Sequence, residues 1–230
     1  HRNLILSDTF FPRWWNTKNR QTPAELWSDL RKMKANFVNI PHQLADTQKV
    51  PTAWDFADEQ AQPVAEIFQN RGSYEYEGAP RGAVRTTPAG GTFMQDAWAS
   101  GLVIGVIASP DRGGGKGKAC VYATGLWRES ILEAIRERHT FGTTASRMVL
   151  DVRLNGRLMG EQIEPSSGKP VKVDVKVRCP SEIARVQVFR NNQFVCVSEP
   201  AGRTADLTYV ERSSYPAEGR RDRLEQSGLA

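Results

Sequence analysis

Leu102-Val103-Ile104-Gly105-Val106-Ile107-Ala108 is an unbroken apolar run bounded by Gly101 and by Ser109-Pro110. It is too short for a helix of ordinary length. It also lacks the alternation of a strand with one wet face, so it reads as a strand covered on both faces in a parallel sheet.

The flanking segments agree with that reading. Upstream, a helix spans about 92–100 and stops at Gly101, which suits a left-handed C-terminal cap. Downstream, a helix runs over 127–138 with Ile131, Leu132 and Ile135 on one side. Further back, Val64-Ala65-Glu66-Ile67-Phe68 and Phe37-Val38-Asn39-Ile40 read as strands, the second ended by Pro41, which has no N–H for a ladder. Thr22-Pro23-Ala24-Glu25 opens a helix with a capping box and Pro at the first helical position; Leu26, Leu30 and Met33 form its buried stripe. Strands that alternate with helices imply α/β layering. Residues 70–92, rich in Gly, Pro, Arg and Tyr, form a loop long enough to suggest function or mobility.

Near residue 146 the period changes to two. Leu150, Val152 and Leu154 alternate with charges, and Asn155-Gly156 is a tight-turn signal. Residues 171–177 alternate without a fault, and Asn191-Asn192 separates two further β segments. We therefore divide the chain into an α/β part, 1–145, and an antiparallel β-sandwich-like part, 146–230. Its last stretch, after about Val210, loses the alternation and reads as disordered.

Composition bounds the function. The 230 residues carry 31 Lys+Arg against 26 Asp+Glu, a net +5 spread along the chain, which gives no specific case for a nucleic-acid partner. No apolar run reaches the roughly 20 residues of a membrane span. Cys120, Cys179 and Cys196 are odd in number and lack both a disulfide framework and zinc-ribbon spacing. The chain starts at His1 and enters Asn3-Leu4-Ile5-Leu6 almost at once, so it reads as an internal or C-terminal piece of something longer, with its compartment undefined.

In parallel α/β architectures, ligands gather beyond the carboxyl ends of strands. Three strands deliver suitable residues there: Pro41-His42 after the first, Glu66 within the second, Ser109-Pro110-Asp111 after the third. An imidazole with two carboxylates suits zinc, manganese or iron. Each member has a plainer alternative: His42 as a hydrogen-bonded structural residue, Glu66 as a loop anchor, Asp111 as a turn residue. Only their convergence makes the functional reading competitive.

Gly113-Gly114-Gly115-Lys116-Gly117-Lys118-Ala119 fails as a phosphate loop, because Arg112 stands where a Gly is needed and Ala119 where Ser or Thr is needed. It remains a basic loop able to touch an anion. His139, after Arg136 and Arg138, complements a helix end. Trp14, Trp15, Trp54, Trp98, Tyr74 and Tyr76 offer either a carbohydrate- or base-binding cleft or core anchors, and spacing does not choose. Ser109 lacks a nucleophile elbow.

Three stretches, Asn39-Ile40-Pro41-His42, Glu66-Ile67-Phe68-Gln69-Asn70-Arg71-Gly72-Ser73-Tyr74-Glu75 and Val106-Ile107-Ala108-Ser109-Pro110-Asp111, together resemble a branch of the PHP (polymerase and histidinol phosphatase) superfamily whose members are labelled a domain of unknown function. Residues 128–136 and 140–144 add to the likeness. The resemblance implies a distorted (β/α)7 barrel, here its C-terminal part, with divalent ions (Zn, Mn or Fe) at the strand ends and hydrolysis of phosphoesters. It makes His42, Asp111 and His1 metal ligands and places Glu66 as ligand or base. Arg112 stands where the superfamily prefers a His, and the opening His-x-His is absent. Arg112 and Lys116 are then expected to hold a small anionic substrate. The rival expectation is a barrel that has lost catalysis and serves as a binding or scaffold module.

Overall fold

The computed structural model describes residues 1–7, 22–47, 50–82, 89–111, 115–164 and 169–212. Arg112, Trp14, Trp15 and the tail after 212 lie outside them. The chain divides into two compact units, His1–Arg147 and Met148–Ala230.

The first unit contains β1 (Arg2–Leu6), α1 (Pro23–Lys32), β2 (Phe37–Pro41), β3 (Val64–Gln69), β4 (Gly72–Ser73), α2 (Met94–Ala99), β5 (Gly105–Ala108), β6 (Lys118–Val121), α3 (Arg128–Arg136) and β7 (Thr140–Thr143). The capping box forms: Thr22 Oγ1 accepts from the Glu25 N–H at 3.4 Å, and Glu25 Oε2 accepts from the Thr22 N–H at 3.2 Å. Trp27 and Leu30 are the buried residues of α1 and Leu26 packs against them, while Met33 falls at the C-cap, past the last helical residue, and is exposed. The Trp27 indole N–H donates to Asn39 Oδ1 at 3.0 Å, which ties α1 to β2.

The expected (β/α)7 barrel is not what forms. Among the described residues the strands make small, mostly antiparallel sheets and no closed barrel. β1 pairs antiparallel with β2 although α1 lies between them, and β6 pairs antiparallel with β7 although α3 lies between them. A barrel needs each helix to return the chain to a parallel neighbour. β3 pairs in parallel with β5, but β4 folds back antiparallel onto the carboxyl end of β3 and takes up that edge. The deciding apolar run is a strand only from Gly105, and its first three residues precede the ladder.

The β3–β5 ladder has an irregularity. Glu66 faces Ile107 and Phe68 faces Ala108, so Ile67 is an extra residue on β3. Beneath these strands Val38, Ile40, Val64 and Ile107 pack against Leu132 and Ile135 of α3. A second cluster joins Leu44, Trp54, Ala65, Tyr74, Phe93 and Met94. Trp54 and Trp98 are anchors, their indole N–H groups donating to the carbonyls of Phe93 and Ile104.

In the second unit, β8 (Val149–Leu154), β9 (Arg157–Leu158), β10 (Val171–Arg178) and β13 (Thr204–Glu211) form an antiparallel sheet in the order β13-β10-β8-β9. β11 (Val186–Arg190) and β12 (Gln193–Ser198) form a hairpin. Both predicted turns appear with positive φ at both central residues: Asn155 at 50° and Gly156 at 83°, Asn191 at 51° and Asn192 at 60°. That is the twist that two-residue hairpin loops require. Val175, Val177, Val186 and Ala205 are the core of this unit. The three cysteines are thiols, not disulfides. Among the described residues no helix is long and apolar enough to cross a membrane.

Candidate functional site

His42 leaves β2 immediately after Pro41, and its backbone N–H donates to the His1 carbonyl at 3.1 Å. The imidazole is 5% exposed. Its Nδ1 lies 2.7 Å from Glu66 Oε2, and its Nε2 lies 2.6 Å from Asp111 Oδ1. The structure thus brings Glu66 and Asp111, 24 and 69 positions further along the sequence, onto the His42 ring.

Glu66 is buried on β3, and its other oxygen accepts from Asn3 Nδ2 of β1 at 3.1 Å. Asp111 follows β5 in a left-handed conformation, φ 62°, with its N–H on Ser109 Oγ at 3.3 Å. Non-Gly residues visit that region seldom, Asp more readily than most. The Gly-rich loop returns against this corner: a Cβ at Gly117 would sit 2.5 Å from the Ser109 carbonyl oxygen. A close passage therefore accounts for Gly117.

Asp111 Oδ2 accepts from Arg71 Nη1 at 3.0 Å. The same nitrogen donates to Gln69 Oε1 at 2.7 Å, and Gln69 Nε2 donates to the His42 carbonyl at 2.5 Å. The path therefore closes on itself, from the imidazole through Asp111, Arg71 and Gln69 back to the His42 backbone. Arg71 Nε also meets the buried Asp46 at 3.3 Å.

Two carboxylates can both accept from one imidazole only if both ring nitrogens carry protons. Burial pulls the His42 pKa down, but the hydrogen bonds and charges of Glu66 and Asp111 outweigh it and hold the value above 6.5. At Asp111, burial raises the pKa, while His42 and Arg71 together lower it further than burial raises it. Tyr74 is fully buried near this cluster, and its hydroxyl has no hydrogen-bond partner among the described residues. Burial first, and then the charge of Asp46, push the phenol's pKa up.

The His1 ring lies beside that of His42, tilted by 42° with the centroids 5.2 Å apart. Lys116 is exposed on the returning loop, outside the hydrogen-bonded ring, and Arg112 lies outside the described residues. Sequence reasoning missed Asn3, Asp46, Gln69 and Arg71. The run Gln69-Asn70-Arg71-Gly72 at a strand end carried a signal for the last two, since polar residues at that end were the criterion applied to the other strands. Two grooves flank α1; His42, Glu66 and Asp111 line neither.

Among the described residues no group of three or more His, Cys, Asp or Glu is arranged to hold a metal ion. Here His42 Nε2 and Asp111 Oδ1 are spent on a hydrogen bond to each other at 2.6 Å, with Glu66 on the opposite ring nitrogen. Comparison with protein-family models, curated proteins and solved structures yields no match for this chain.

Proposed function

We propose that this chain is a metal-dependent hydrolase that acts on a phosphoester or related anionic substrate, as its resemblance to the PHP superfamily implies. The observation that carries the reading is the pairing of His42 Nε2 with Asp111 Oδ1 while buried Glu66 holds Nδ1. A bound zinc, manganese or iron ion would lower the pKa of a water and neutralise charge on the leaving group.

The chain's own residues prepare that role. Glu66 keeps the Nδ1 proton and fixes the ring plane, so that Nε2 is the nitrogen that can shed its proton and offer a lone pair. Asn3 holds the second oxygen of Glu66, which prevents the carboxylate from rotating away. Asp111 supplies the oxygen donor, and His1 lies beside the His42 ring as a further imidazole.

The test is metal content after equilibration with Mn²⁺ or Zn²⁺, with hydrolysis of an aryl phosphate measured alongside. We expect His42→Ala to abolish metal uptake while the circular dichroism is retained. Glu66→Gln should weaken uptake by about 10–100-fold through loss of ring orientation. Unaltered metal content in His42→Ala would remove His42 from the site.

A second reading is favoured by Arg71, whose guanidinium neutralises Asp111 and completes a closed ring of hydrogen bonds. On that reading the cluster is a structural lock in a binding or scaffold module. Less than one metal equivalent, with no hydrolysis, would leave it standing.

A further inference from the structure

The two grooves beside α1 share Arg31. The first, about 490 Å³, has apolar walls from Trp27 and from Phe56, which ends the short 3₁₀ turn Trp54–Phe56 and is 59% exposed. The second, about 350 Å³, lies where α1 and α3 both end. Lys34 and Arg136 line it with Arg31, and no carboxylate does.

Cations at a helix end ordinarily answer its unpaired carbonyls. Here the backbone already does so. At α1 the Lys34 N–H donates to the Arg31 carbonyl at 2.9 Å and the Ala35 N–H to the Leu30 carbonyl at 3.0 Å. At α3 the Arg138 and His139 N–H groups close the Ile135 and Ala134 carbonyls in the same way. Lys34 also occupies a left-handed position, φ 53°, that glycine usually fills at a helix end. Its ammonium is thus carried there against backbone preference, and it has no partner among the described residues. The neighbouring acids are each engaged once: Asp58 takes Arg31 Nη2 at 2.6 Å, and Glu133 lies 3.5 Å from Arg136 Nη1. The Phe37 carbonyl fixes the Arg136 guanidinium at 3.0 Å, so its charge stays in the second groove.

An exposed aromatic ring in one groove and unspent positive charge in the next, at the size of a small-molecule site, are complementary to an aromatic phosphate. We propose that this face of α1 binds a nucleoside monophosphate. The base lies on Phe56, the phosphoryl oxygens accept from Lys34 and Arg31, and Arg136 adds charge from below. The site is separate from the His42 cluster and requires no metal.

The experiment titrates the full chain with adenosine 5′-monophosphate, calorimetrically and in chelator, beside adenosine and inorganic phosphate. The nucleotide should bind at least about tenfold more tightly than either of its halves. Lys34→Gly suits the left-handed backbone, so this variant should keep its melting temperature while losing about tenfold in nucleotide affinity. Phe56→Ala removes an exposed ring and should lose about fivefold or more. In the wild type, the amide resonances of Lys34 and Phe56 should both shift on addition of the nucleotide. No nucleotide binding by the wild type overturns the inference. So does adenosine or phosphate binding as tightly as the nucleotide, or an unaltered nucleotide affinity in either variant. Chelator is present throughout, so none of these outcomes bears on the hydrolase reading.

Discussion

His42 is clasped by Glu66 on one side and Asp111 on the other, and the clasp gives the metal-free protein a pH signature. The His42 pKa is raised above 6.5 on folding, so its contribution to stability is fully present below about pH 6.5 and is lost as pH rises through the raised value. Asp111 runs the other way. Its pKa is lowered from 3.8, so its contribution is present above that value and fades as pH falls through the lowered one. In chelator, the melting temperature should therefore decline on the alkaline side of about pH 6.5, and His42→Gln should flatten the decline. A wild-type profile that stays level from about pH 6 to 9 would contradict the clasp. The sequence announced the three clasping residues because each stands at, or near, the end of a strand. It did not announce Asn3 or Asp46, whose importance arises only when β1 and the segment after β2 are folded against β3. An Asn in an apolar strand and an Asp in a polar loop carry no local mark of that.

Short-range chemistry at the level of single elements was the most legible part of the chain. The Thr22–Glu25 box, the Asn155-Gly156 turn and the Asn191-Asn192 turn each depend on neighbours within a few positions, and each forms. Thr22→Ala should cost about 0.5–1 kcal/mol, the low end for an exposed cap, and lower the melting temperature by a few degrees. A thermal scan that shows no change would mean α1 takes its stability from Trp27 and Leu30 packing alone. Trp27 illustrates what periodicity misses. Its large ring is buried and has a hydrogen-bond partner in Asn39, whereas Met33 falls past the helix end and meets solvent. The apolar run at 102–108 failed in a related way: a composition suited to a buried strand cannot say how many residues find a partner strand, and only Gly105–Ala108 do.

For the whole molecule, pairing between distant strands decides, and pairing leaves little trace in a single sequence. The strand–helix–strand order suggested α/β layering, and the family resemblance a barrel; β1 against β2 and β6 against β7 run antiparallel instead. The second unit has its own apolar core around Val175, Val177, Val186 and Ala205. A fragment of residues 148–212 should therefore fold alone, with dispersed amide resonances and a cooperative melt, although its small size leaves it marginal. A collapsed spectrum would show that its core is insufficient by itself. One small irregularity reaches across the first unit. Because Ile67 is surplus to the ladder, it sets the phase between Glu66, which precedes it, and Gln69 and Arg71, which follow. Dropping one residue there would leave the strand able to pair, yet it would rotate the downstream pair out of step with the upstream carboxylate. Single-residue gains and losses, more than exchanges of one side chain for another, are what natural variation can least accept at this point of the chain.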